Sequence, residues 1–207
     1  MYIPAHFAET RSEELTRIIR AHPLGVLVTH DAHGLDANHI PFEFDPDAGT
    51  RGLLTAHVAR ANPIWKQCAE GADVMVVFRG AEGYISPSWY PSKHETHRQV
   101  PTWNYEVVHA YGRLAVRDDE KSVRGIVARL TRTHEANESK PWKMGDSAPE
   151  FIDEMLHAIV GIEIAVTALI GKRKLGQNKE ARDRLGAAEA LAERGHAELA
   201  QHMREPG

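Results

Sequence analysis

Three stretches of this chain gather side chains suited to a phosphate or to a flat, polar-edged ring. The first is His57-Val58-Ala59-Arg60-Ala61-Asn62-Pro63. It closes an apolar segment and opens a helix, because Asn62 suits an N-cap and Pro63 the first helical position. Backbone N–H groups at a helix start attract anions. Arg60 adds a planar fork for phosphate oxygens, and His57 and the Asn62 amide add further donors. Residues His57, Val58, Ala59, Arg60 and Asn62 therefore read as a phosphate cradle. They read equally well as a plain capped helix start beside a solvated arginine.

The second stretch joins Tyr84-Ile85-Ser86-Pro87-Ser88-Trp89-Tyr90-Pro91 to Pro101-Thr102-Trp103-Asn104-Tyr105. Aromatic, hydroxyl and amide groups alternate on proline-stiffened chain, which suits a heteroaromatic ring. The competing reading is a loop whose aromatics fill the core. The third stretch, Gly171-Lys172-Arg173-Lys174-Leu175-Gly176-Gln177-Asn178, sets three cations beside two amides. These can reach a phosphate or a ring carbonyl, or they form a solvated basic turn.

Other chemistries lack their signatures. His94-Glu95-Thr96-His97 does not have the His-Glu-x-x-His spacing of zinc hydrolases, and no metal site is expected. The phosphate loop G-x-x-x-x-G-K-[ST], the dinucleotide pattern G-x-G-x-x-G and the nucleophile elbow G-x-S-x-G are all missing. Cys68 is the only cysteine and reads as an inert structural thiol.

The elements that must carry these stretches follow from periodicity. Thr10 and Glu13 suggest a capping box, and Leu15, Ile18, Ile19 and His22 share one helical face before Pro23. Strands are expected at Leu24 to Thr29, Leu35 to Phe44 (with an edge or bulge at Pro41), Leu53 to Val58, Val74 to Phe78, Tyr84 to Ser86, Trp103 to Val116 and Gly161 to Leu169. Pro87 to Pro101 reads as a long functional loop. Helices are expected after Asp119, with Val123, Ile126, Val127 and Leu130 inward, and after Ser147, with Ile152, Met155, Leu156 and Ile159 inward. From Lys179 onward the Ala/Glu/Arg-rich chain reads as a solvent-exposed helix with disorder at its end. Strands without regular crossover helices point to a mainly β fold with peripheral helices, closed into a small barrel.

On these residues the chain resembles the PaiB family. The resemblance runs through Met1-Tyr2-Ile3-Pro4 with His6-Phe7, Ala37-Asn38-His39-Ile40-Pro41, His57 to Pro63 with Trp65, Tyr84 to His94 and Val100 to Tyr105. It continues through Gly161 to Ile164 and Lys174 with Gln177-Asn178, and so covers about residues 1 to 180. It implies a split β-barrel of the pyridoxamine-phosphate-oxidase type, occupying residues 1–178, with residues 179–207 as a helical extension. It also implies FMN bound at a homodimer interface and the label of negative transcriptional regulator. On this resemblance Arg60, with His57 and Asn62, is the leading candidate for the FMN phosphate. His39, Thr102, Trp103 and Asn104 would line the flavin region, and Lys174, Gln177 and Asn178 would complete it from either subunit. One departure stands out: the family's usual G-K-W-K-L-S-Q-N has Arg173 in place of Trp and Gly176 in place of Ser. No catalytic residue is assigned.

Bulk properties narrow the function further. The chain has 207 residues, 42% hydrophobic and 26% charged, with a formal charge of −4. The sequence pI of about 6.3 lacks the basic excess of a duplex-gripping protein, so direct DNA binding is not expected. No signal-peptide pattern and no apolar run of membrane length occur, and the lone cysteine suits a reducing compartment; a cytoplasmic protein is expected. Three readings stand: a flavin protein with oxidoreductase capacity acting on a small molecule, a transcriptional regulator acting directly or indirectly, and a haem-handling split barrel.

Overall fold

The computed structural model describes residues 1–206. In chain order the elements are β1 (Ala8–Glu9), α1 (Ser12–Ala21), β2 (Leu24–Asp31), β3 (Gly34–Pro41), β4 (Glu43–Asp45), β5 (Leu53–Ala59), α2 (Ile64–Gln67) and β6 (Asp73–Ile85). Then come α3 (Pro91–Thr96), β7 (Thr102–Arg117), α4 (Glu120–His134), α5 (Pro149–His157), β8 (Ile159–Lys174), α6 (Ala181–Glu193) and α7 (Ala197–Arg204). The sheet runs β3-β2-β6-β7-β8-β5-β4, and β1 pairs with β8 off this path. Two compact units form: a central one of His22–Phe78 and His109–Leu169, and a terminal one of Met1–Ala21, Arg79–Val108 and Ile170–Gly207. The long strands β6, β7 and β8 each contribute residues to both.

In the central unit β2 and β3 form an antiparallel hairpin from Leu24↔Pro41 to Asp31↔Gly34. Asp31 Oδ1 accepts the His33 N–H at 2.7 Å, and Gly34 takes φ 111°, a value that L side chains rarely adopt. The strand expected from Leu35 to Phe44 is two strands, parted at Phe42, whose N–H turns away to Pro23 O at 2.8 Å. Antiparallel β5 and β8 run from Leu53↔Ala165 to Ala59↔Ile159. Leu27, Leu54, Ala56, Val76, Phe78, Ala110, Leu114, Ile162 and Ile164 are fully buried. α4 and α5 add Val123, Ile152 and Leu156 as a satellite cluster.

In the terminal unit α1 begins at Ser12, and Glu9 rather than Thr10 takes an N–H at its start, from Arg11 at 2.8 Å. The two strands expected at Val74 to Phe78 and Tyr84 to Ser86 are one, Asp73–Ile85. Gly80 and Gly83 are sites of close packing: a Cβ at Gly83 would lie 3.0 Å from Leu199, and one at Gly80 3.0 Å from Glu106. The expected loop from Pro87 to Pro101 holds a 3-10 turn and α3.

The end of the chain differs most from expectation. It forms two helices rather than one, and one face of each is buried. Ala187, Ala188, Leu191, Leu199, Ala200 and Met203 pack with Ala81, Ile85, Tyr90 and Leu175 in one apolar cluster. Small alanines interleaved with Glu and Arg made that face hard to see from composition. Of the anticipated terminal disorder, the part at Gly207 lies outside the described residues. Among the described residues no helix is long and apolar enough to cross a membrane.

Candidate functional site

The twelve expected site residues divide evenly between the units. His39, His57, Val58, Ala59, Arg60 and Asn62 belong to the central unit, and Thr102, Trp103, Asn104, Lys174, Gln177 and Asn178 to the terminal one.

In the central unit the end of β5 builds a cationic corner. Arg60 N donates to Ala158 O at 2.8 Å, continuing the β5–β8 pairing. Its guanidinium then meets four acceptors. Nε donates to His157 O at 2.6 Å and Nη2 to Ile159 O at 3.1 Å. Nη1 and Nη2 donate to the two oxygens of Asp118 at 3.2 and 2.6 Å. Arg60 thus takes up a carbonyl left over at the end of α5 and ties that end to β5, β8 and the chain entering α4. The bidentate pairing raises the Arg60 pKa and lowers that of Asp118. Arg60 is no open fork as the corner stands: a phosphate there must displace Asp118. The two side chains are 39% and 43% exposed, so that exchange is inexpensive.

Asn62 does not cap a long helix. α2 has one turn, and Asn62 Oδ1 accepts the Ile64 N–H at 3.0 Å while its amide donates to Asn38 Oδ1 at 2.8 Å. The Trp65 indole closes the corner by donating to Arg60 O at 3.0 Å. His57 is half-buried, its pKa is lowered by burial, and its Nδ1 has no hydrogen-bond partner. Val58 is buried in the core, and Ala59 and His39 are exposed.

In the terminal unit three expected residues meet directly. Lys174, the last residue of β8, donates from Nζ to Thr102 Oγ1 and, at 2.7 Å, to Trp103 O. Burial lowers its pKa, and the nearby Lys172 and Lys179 lower it further. Trp103 leaves 54% of its surface open and meets Tyr84 edge-on at 6.4 Å. Asn104 instead turns inward, where its amide donates to Met203 Sδ at 3.3 Å. Gln177 folds onto its own turn, donating to Arg173 O at 2.7 Å and accepting from Leu175 N at 2.8 Å. Asn178 is exposed.

The two departures from the family pattern have structural reasons. Gly176 sits at φ 85°, where glycine is favoured over serine. Arg173 is only 4% exposed, so it is not part of a solvated basic turn. Its Nε donates to Glu106 Oε1 at 2.7 Å, and its Nη1 lies 3.4 Å from both Glu9 and Glu14. Nη1 also donates to Pro206 O at 3.1 Å. Arg17 Nη2 reaches the same Glu106 oxygen at 2.8 Å. His202 Nδ1 lies 2.8 Å from Glu106 Oε2, a hydrogen bond when that nitrogen carries the proton. This network escaped the sequence reading, although a carboxylate directly before Val107 and Val108 in a buried strand was a visible signal.

Among the described residues no three His, Cys, Asp or Glu side chains gather as a metal site.

Comparison with known proteins places the chain. Residues 1–168 match the family model described as "Putative FMN-binding domain". The chain is 31% identical over 191 residues to "Protease synthase and sporulation protein PAI 2" of Bacillus subtilis, covering 92% of this chain and 89% of that protein. Among solved structures, the FAD and heme binding protein from Mycobacterium smegmatis aligns with a TM-score of 0.61 at 19% identity, over 82% of this chain and 74% of that one. The flavocytochrome Anf3 from Azotobacter vinelandii aligns with the same TM-score of 0.61 at 14% identity, over 84% and 73%.

Proposed function

This chain is a PaiB-type member of the FMN-binding domain family, a split β-barrel, and on that premise we propose that it is a flavin protein that performs redox chemistry on a small organic molecule. Its working form on this reading is a homodimer with FMN at the subunit interface. When bound, FMN supplies reversible electron and hydride transfer at its ring system. The chain's residues bind it, orient it and keep water away.

The observation that carries the reading is the Lys174 corner. A partly buried ammonium set beside two like charges is unfavourable until an anion or a polarised carbonyl joins it. Two of its three donor hydrogens hold Thr102 and Trp103, which leaves one for a ligand. Trp103 lends this corner its carbonyl, and its exposed indole is a surface that suits a flat ring. The residues present therefore fit the group. In the central unit the unpartnered His57 Nδ1 is a spare polar atom, and Arg60 takes a phosphate by exchanging Asp118 for it.

Regulation of transcription enters this reading indirectly, through the flavin or the small molecule, since the net charge of −4 does not favour a grip on DNA. Titrating the purified protein with FMN, read by quenching of flavin fluorescence, tests the proposal. Saturable binding, weakened about tenfold or more in Lys174→Gln, is expected. No saturable binding by the unmodified chain would refute it.

A further inference from the structure

We propose a second small-molecule site in the central unit, between the last turns of α4 and the chain that follows it, that takes an aromatic carboxylate. Here a cavity of about 440 Å³ is lined by Ala128, Thr131, Arg132, Glu135 and Ala136 on one wall and by Pro141 to Met144 on the other. That volume falls within the range of ligand pockets. It shares no residue with the Arg60 corner or the Lys174 corner, and nothing in the family resemblance calls on it.

The chemistry of the lining selects the ligand. Ala128 on α4 and Ala136 in the turn just after it are both small and leave a slot beneath the far wall. Trp142 forms that wall with an indole 40% open to solvent, a surface for a flat apolar ring. Polar groups are sparse. Glu135 is already engaged, its Oε2 accepting the Trp142 N–H at 2.8 Å, a bond that holds the wall in place. Arg132 and Lys143 remain, with no hydrogen bond or ion pair to their side-chain charges among the described residues. Two unpaired cations against one engaged carboxylate leave the rim positive. An apolar ring carrying one carboxylate matches both features, the ring against Trp142 and the carboxylate between Arg132 and Lys143. The carbonyl end of α4 carries a partial negative charge, so anion recognition depends on these two side chains and not on the helix.

The test uses 2-naphthoate and its uncharged counterpart 2-naphthamide, titrated calorimetrically into the full chain before and after saturation with FMN. One naphthoate per chain is expected, bound at least about fivefold more tightly than the amide, with no loss of affinity when FMN is present. Arg132→Gln and Lys143→Gln should each erase most of that preference, and Trp142→Ala should weaken both probes. Arg51→Gln, a charge change elsewhere on the central unit, should alter neither. Equal affinity for acid and amide, indifference to Arg132→Gln, or competition with FMN would each overturn the proposal. So would concentration-dependent dimerisation abolished by Trp142→Ala, which would assign this surface to a second copy of the chain.

Discussion

Arg173 donates from Nε to Glu106 Oε1 at 2.7 Å, and both side chains are almost wholly removed from solvent. The pair lies within the terminal unit, where Glu9 and Glu14 also approach the guanidinium. Such a pair gives little net stability, yet losing one member leaves a charge stranded. Arg173→Met should therefore destabilise the fold by about 3 kcal/mol in urea denaturation. The double variant Arg173→Met/Glu106→Gln should recover part of that loss, because Glu106 no longer carries a stranded charge and Glu9 keeps its pairing with Arg11.

The same network fixes how stability responds to acid. Burial alone would raise the Glu106 pKa, but hydrogen bonds from His202 and Arg173 outweigh it and hold the carboxyl at about 2, below the 4.5 of a free glutamate. Glu9 also falls to about 2, held against burial by Arg11 first and Arg173 next. A lowered folded-state pKa contributes stability that is fully present above the unfolded value and lost as protonation proceeds toward the folded one. Stability should then decline between about pH 4.5 and 2. Glu106→Gln should flatten that slope in chemical denaturation across the window, and an unaltered slope would place the linkage elsewhere.

How much of this was legible depends on whether a residue's role is local. Alternation and turn chemistry exposed most of the strands, and the long ordered motifs exposed the family. The Lys174, Thr102 and Trp103 cluster was legible as residue types, but its members lie some seventy positions apart and meet only through the sheet. Arg60 was read as an open fork because its partner, Asp118, is 58 residues away in sequence. Arg173 was grouped with free cations, for a ligand or for solvent, because its carboxylate partners come from β1, α1 and β7. The strand Asp73–Ile85 was legible only near its ends, because the close packing of Gly80 and Gly83 against Glu106 and Leu199 leaves no mark in local sequence.

The Arg60–Asp118 pair offers a direct competition experiment. Removing the carboxylate charge with Asp118→Asn frees most of the fork at little cost, as befits an exposed pair. FMN should then bind up to about fivefold more tightly, and Arg60→Ala should bind it more weakly than the unmodified chain. Fluorescence titration of both variants checks this. Unchanged affinity in both would remove Arg60 from phosphate binding and leave it as the tie between β5, α5 and β8.

The C-terminal helices give the remaining prediction. Leu191 and Leu199 are 1% exposed and sit in the cluster with Ala81, Ile85 and Tyr90, and both approach the backbone at Gly83. If these helices are part of the fold, Leu199→Ala should destabilise it by about 2–5 kcal/mol, as other large-to-small core changes do. Gly83→Val should also destabilise, since its Cβ would press on Leu199 at 3.0 Å and on Leu191 at 3.4 Å. Pairing it with Leu199→Ala should return part of the loss by making room for the added methyls. A thermal melt of the three variants separates this outcome from a tail that only rests on the surface, for which Leu199→Ala would leave the midpoint within about a degree of the unmodified chain.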